Sequence, residues 1–225
     1  MTRDEFLTAL DSLIAEKHLL KHPFYRLWSR GELTLETLRE YAISYYPHVA
    51  AFPTYVSGVH AGCEDAALRQ ELLENLIEEE RGTENHPAIW RKFAAALGAA
   101  ETDLVSAPRT PEVAEAIAEF RRATREGSTA EGLAALYAYE SQIPAICESK
   151  IDGLKKHYGF NDPEHYRYFS VHLEADREHS AAEREMLMSY IDNDNFGKVR
   201  TATQRILDAL WEMLTGVCRR HAIAC

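Results

Sequence analysis

The sequence predicts an all-α protein, a single helical bundle spanning residues 1–225, and three observations carry that prediction. Apolar residues recur with a helical period nearly throughout. No stretch alternates with period two for long enough to propose a strand, and helix start and stop signals recur along the chain. About seven to nine helices are expected.

Phe6, Leu7, Leu10, Leu13 and Ile14 form one stripe in a first helix that Thr2 is placed to cap. His22-Pro23 then starts a short segment to Trp28, with proline in a favourable first-turn position. A long helical pattern runs from Thr34 to His60, where Pro47 and Pro53 predict kinks or a break. Asp65 to Arg81 is a further helix with Leu68, Leu72 and Leu76 on its inner face, and Pro87 to Leu97 follows after a bend and stops at Gly98. A looser stretch precedes Thr110-Pro111-Glu112, which opens a helix that Gly127-Ser128 ends. Thr129 begins a long helix to Tyr158. Asn161-Asp162-Pro163-Glu164 starts another, to Tyr190, and a turn at Asp192–Gly197 leads to the last, Lys198 to His221.

The chain carries 25 Lys and Arg against 36 Asp and Glu, a formal net charge of -11. That acidity argues against nucleic-acid or anionic-membrane partners, which reward basic patches. No apolar run is long enough to span a bilayer, and Met1-Thr2-Arg3-Asp4-Glu5 lacks the apolar block of a signal peptide, so a cytoplasmic location is expected. Cys63, Cys147, Cys218 and Cys225 are far apart without a CxxC pair, which argues against a zinc knuckle or redox dithiol; buried free thiols are expected.

Carboxylates and imidazoles on inner faces are the functional signal. His172, Asp176 and His179 project within about 60° of one another on one helix face, a set that suits a first-row metal such as iron or manganese. A charged surface helix is the competing reading. Glu79 continues the Leu72, Leu76 stripe and so points inward, and His86 is two turns further on if the helix persists through Gly82. Glu140 sits in the stripe of Leu133, Leu136, Tyr137, Ile143 and Cys147, where an unpaired carboxylate is costly. Pro144 cannot donate to the Glu140 carbonyl, so the helix opens beside that carboxylate; a core kink with Glu140 paired to a cation is the alternative. Together these offer three carboxylates and three histidines on three helices, the inventory of a carboxylate-bridged dinuclear site. Neither glutamate is followed by the Glu-x-x-His spacing of ferritin-like proteins.

With these residues in view, the sequence resembles the haem-oxygenase-like dimetal oxidases, within the wider thiaminase-type and pyrroloquinoline-quinone-synthase-type group. It is most similar to the para-aminobenzoate-making branch that includes the chlamydial protein associating with death domains. The likeness covers nearly the whole chain. Its motifs are His22-Pro23-Phe24-Tyr25-x-Leu27-Trp28, Glu79-x6-His86-Pro87-x2-Trp90, Tyr139-Glu140-x3-Pro144 and Tyr168-x3-His172-x3-Asp176-x2-His179.

The resemblance implies a metal pair, two irons or iron with manganese, on Glu79, His86, Glu140, His172, Asp176 and His179, using dioxygen and an external reductant. It implies a self-sacrificing synthesis in which Tyr25 supplies the aromatic ring and Lys150 the amino nitrogen, with Tyr41 and Tyr168 lining the site or relaying electrons. A homodimer is also implied. From chemistry alone, Tyr25 reads as a core aromatic and Lys150 as a surface charge, three turns beyond Glu140 on the same helix. Two enzyme alternatives stand: a dimetal oxygenase acting on an external amine or fatty acid, and a metal-free oxidase of the quinone-synthase kind. Nothing in the sequence specifies a surface for death-domain binding.

Overall fold

The computed structural model describes residues 1–106 and 108–225. Among the described residues there is no strand, and eleven α-helices follow one another: α1 (Arg3–Glu16), α2 (Pro23–Arg30), α3 (Leu35–Gly62), α4 (Ala66–Glu80), α5 (His86–Ala96), α6 (Glu101–Ser106), α7 (Pro111–Arg121), α8 (Thr129–Glu140), α9 (Ile143–His157), α10 (Arg167–Tyr190) and α11 (Phe196–Arg220). The expected all-α bundle is what forms. The count exceeds the expected seven to nine because short α6 lies in the stretch read as loop and one long predicted helix is divided.

Local sequence sets most boundaries. Thr2 and Glu5 form a capping box on α1, and Ser128 with Glu131 form one on α8. Asp65 and Thr110 cap α4 and α7, with Pro111 in the first turn of the latter. The His22 side chain accepts from the Phe24 amide to open α2.

Three expectations are corrected. Of the kinks or break expected at Pro47 and Pro53, the break does not occur: α3 runs unbroken from Leu35 to Gly62. An interior proline costs a helix about 3 kcal/mol. Burial along α3 offsets it, because α4, α5, α7 and α8 all pack against that helix. The helix predicted from Thr129 to Tyr158 instead divides at Ser141–Gln142, so Glu140 ends α8 and Lys150 lies on α9. Gln142 fills the opening: its Nε2 donates to the Ala138 carbonyl at 2.6 Å and its Oε1 accepts from the Leu19 amide at 2.8 Å. Finally, the expectation of four free thiols fails at two positions. Cys63 and Cys147 are free and buried, whereas Cys218 and Cys225 form a disulfide. The chain folds back after α11, with the Ile223 amide donating to the Cys218 carbonyl, and brings the two Cα atoms to 6.2 Å.

The core is unusually aromatic where α2, α3, α5, α9 and α10 meet. Phe24, Trp28, Tyr41, Trp90, Phe93 and Phe169 are all fully buried there. Gly153 permits the approach of α9 to α2: a Cβ at this position would lie 2.7 Å from Trp28 Cδ1. The Trp28 indole donates to the Lys150 carbonyl at 3.3 Å, tying the two helices together. Among the described residues, no helix is long and apolar enough to cross a membrane.

Candidate metal centre

The six sequence-predicted ligand positions assemble into two groups of three. Glu79, His86 and His172 offer ligand atoms within 4.8 Å of one another, and so do Glu140, Asp176 and His179. Five of the six are buried, and His179 is half-buried. The route to this differs from expectation in one place. Helix α4 ends at Glu80, Gly82 takes φ 81°, and His86 begins α5 from a cap supplied by Asn85. The turn, rather than two turns of one helix, brings His86 Nδ1 to 2.8 Å from Glu79 Oε1.

The polar atoms converge without satisfying one another. His179 Nδ1, Asp176 Oδ2 and Glu140 Oε2 are buried and lack hydrogen-bond partners, and His86 Nδ1 lies close to Glu79 Oε1 without the alignment of a hydrogen bond. Buried polar atoms are nearly always paired, so such a concentration suits cations as their partners. Three carboxylates also offset most of the charge of two divalent ions. The residues therefore fit a pair of hard or borderline first-row metals bound by oxygen and imidazole nitrogen.

Supporting contacts orient the ligands. His172 Nδ1 is 2.7 Å from the Tyr168 carbonyl, which can only accept, so Nδ1 carries the proton and Nε2 keeps its lone pair for a metal. Burial, and then His86, push His172 well below its ordinary pKa, keeping it the neutral ligand that coordination needs. Asn75 Nδ2 donates to Glu140 Oε1 at 3.2 Å. Burial raises Asp176 above the usual carboxylate range, with Glu140 and Glu79 adding to it. Burial disfavours the charged form of His179, yet Asp176 and Glu140 raise it overall.

Glu183 was missed by the sequence reading. It is 1% exposed, both its carboxylate oxygens lack partners, and its pKa lies well above the usual range through burial and then Glu140. The signal was present: residues 172, 176, 179 and 183 continue one face at spacings of four, three and four. Arg177, Glu178 and Glu185 around it disguised that face as a charged surface.

Beside the ligand groups lies a sealed aromatic chamber. Lys150 is buried rather than the surface charge its residue type suggests, with its amine 5.2 Å from the Tyr25 ring centre, 5.0 Å from Tyr41 and 4.8 Å from Phe169. Trp28, Tyr45 and Trp90 complete the surround within 5.8 Å. The amine donates to the Tyr41 hydroxyl at 2.7 Å, and the Tyr41 and Tyr25 hydroxyls are 3.2 Å apart. Burial lowers the Lys150 pKa to about 7. It raises Tyr25 and Tyr41 well above 10, so both phenols keep their protons. Cys147, one turn before Lys150, is likewise pushed up by burial and is no thiolate nucleophile at neutral pH.

Aromatic contacts join chamber and ligands. Tyr168 stacks on His172 with ring centres 3.9 Å apart and meets Trp90 edge-on at 4.7 Å. Trp90 in turn packs against Tyr45 at 5.2 Å and Tyr41 at 6.0 Å, and its indole donates to the Ala42 carbonyl. Tyr45 and Tyr139, whose hydroxyls lie 3.1 Å apart, extend this network.

The chain is similar to known proteins in sequence and in fold. Residues 39–213 match the family described as iron-containing redox enzymes. The chain is 45% identical to the 4-aminobenzoate synthase of Nitrosomonas europaea, covering 96% of this chain and 92% of that one. It is 42% identical to the 4-aminobenzoate synthase of Chlamydia pneumoniae, covering 93% of each. A crystal structure of a TenA homolog from Pseudomonas syringae shares the fold, with a TM-score of 0.82 at 18% identity over 96% of this chain and 92% of that chain. On these matches the chain belongs to the iron-containing redox enzymes of haem-oxygenase-like fold, and within them to the family of the 4-aminobenzoate synthases.

Proposed function

We propose that this protein makes 4-aminobenzoate, taking the ring from its own Tyr25 and the nitrogen from Lys150. The observation that carries this reading is the Lys150 amine, buried against the Tyr25 ring and held on the Tyr41 hydroxyl at 2.7 Å. The 4-aminobenzoate synthases to which the chain is similar support the product. Glu79, His86 and His172 would hold one metal, and Glu140, Asp176 and His179 the other, as two irons or iron with manganese. When bound, such a pair supplies oxidation by dioxygen, with electrons from an external reductant.

The chain's own residues set up the rest. A lysine with a pKa of about 7 has about half its population as an amine with a free lone pair at neutral pH, the form that amination of a ring carbon requires. Because Lys150 donates to Tyr41, the single Tyr41 proton is free to be donated to the Tyr25 oxygen. That hydrogen bond orients the Tyr25 ring and polarises its carbon–oxygen bond, which nitrogen replaces as the oxygen leaves as water. The Tyr25 Cα–Cβ and Lys150 Cε–Nζ bonds break, and dioxygen with the external reductant supplies the redox equivalents that take Cβ to the carboxylate. Tyr168 and Trp90 provide a continuous aromatic line from His172 to Tyr41, suited to moving an electron between ligand groups and chamber. The shell of rings excludes water, so an oxidised Tyr25 side chain is intercepted by Lys150 rather than hydrolysed.

The test pairs mass with growth. Reduced iron and dioxygen supplied to the purified protein are expected to produce 4-aminobenzoate with mass lost at Tyr25 and changed at Lys150. Wild type is expected to rescue a 4-aminobenzoate auxotroph, and Tyr25→Phe and Lys150→Arg to fail. Product formed with both residues intact would transfer the chemistry to an external substrate.

A further inference from the structure

A cavity of about 110 Å³ opens between α4 and α10 and reaches His179, the member of the Glu140, Asp176 and His179 group that lines it. Its lining carries five carboxylates, Glu71, Glu74, Glu78, Glu178 and Glu183, and no lysine or arginine. The first four are exposed on the rim. Glu183 is buried at the inner end beside the Glu140 carboxyl, and no N–H or hydroxyl donates to either of its oxygens. His179 joins the two regions: its Nε2 is 3.3 Å from Glu78 Oε2 on the rim side, and its Nδ1 is 3.6 Å from Asp176 Oδ1 inside.

We infer that this cavity is the entry and staging site for divalent cations on their way to the metal centre, with Glu183 as the transfer ligand. The inference rests on the metal-centre reading above and adds a route to it. A rim of one sign of charge over a low-dielectric cleft concentrates the field and raises the local concentration of cations. The volume suits an ion that still keeps some of its waters. Two carboxyl groups, Glu183 and Glu140, buried side by side are costly as a charged pair, and a passing cation is the partner that offsets that cost. Dioxygen, uncharged and apolar, gains nothing from five carboxylates, so the lining selects the metal and not the gas.

Uptake of Co(II) by the metal-free full-length protein, followed through the visible absorption of the bound ion, tests this. Wild type is expected to take two ions per chain. Glu183→Gln is expected to slow uptake about tenfold while reaching the same final two. The exposed pair Glu71→Gln and Glu74→Gln is expected to slow uptake at low ionic strength, and to match wild type near 1 M salt, where screening acts over about 3 Å. Glu16→Gln with Glu36→Gln, an equal charge change outside the cavity, is expected to load at the wild-type rate. Wild-type rates in both the Glu183 and the rim variants would overturn the inference, and so would equal slowing in the Glu16, Glu36 control. A Glu183→Gln protein saturating at one ion would also overturn it, by making Glu183 a permanent ligand. A wild type that takes up fewer than two ions would instead sink the metal-centre reading itself.

Discussion

The Lys150 amine sits 2.7 Å from the Tyr41 hydroxyl, enclosed by aromatic rings and, among the described residues, with no carboxylate hydrogen-bonded to it. Burial disfavours a cation in that position, ring faces and Cys147 favour it, and burial prevails, setting the pKa near 7.

Product formation should therefore rise with pH through about 7 as Lys150 loses its proton. Below that value the ammonium has no lone pair to offer. Single-turnover yield of 4-aminobenzoate between pH 5.5 and about 8.5, at constant metal loading, measures it. A flat profile would remove the free amine from the limiting step.

The same burial should make Lys150 a destabilising residue. Its folded pKa is depressed, so the penalty is fully present below about pH 7 and disappears as pH rises toward the unfolded value. Lys150→Met is expected to raise stability at pH 6.5 by about 2–4 kcal/mol while abolishing product. Denaturant unfolding of both proteins at pH 6.5 and at high pH decides this, with the gain shrinking at the higher pH.

The two ligand groups should fail separately. His172→Ala leaves Glu140, Asp176 and His179 intact, and His179→Ala leaves Glu79, His86 and His172. Each variant is expected to weaken one metal equivalent at least tenfold and to retain the other, with helical circular dichroism unchanged. Titration with Mn(II), counted by magnetic resonance of the free ion, reads both steps; loss of both ions in either variant would mean one indivisible site.

Gly153→Ala tests the contact between α2 and α9. Its Cβ would meet Trp28 at 2.7 Å, and Trp28 is fully buried. Overpacking of this kind costs about 1–3 kcal/mol. Because α2 carries Tyr25 and α9 carries Lys150, product yield should fall more than metal content. Equal retention of both would show that the chamber absorbs the change.

The sequence by itself determined most of the helices and the inward stripes of α1, α4 and α8. Caps at Thr2, Asp65, Thr110 and Ser128 act within one turn of chain, so they are readable without the fold. Carboxylates on apolar stripes marked Glu79 and Glu140, and the spacing of His172, Asp176 and His179 marked one helix face. The roles of Tyr25 and Lys150 were invisible to pattern and entered only through family likeness. Tertiary structure decided the rest. It kept α3 whole through two prolines, because packing on several sides outweighs local propensity. It turned the chain between Glu79 and His86, and paired Cys218 with Cys225 by folding the end of the chain back. It also buried Lys150 and Glu183, two charged residues that sequence places at the surface by default. Whether such a side chain faces water or core depends on neighbours distant in sequence, here Trp28, Tyr41 and Phe169 for the amine and Glu140 for the carboxylate.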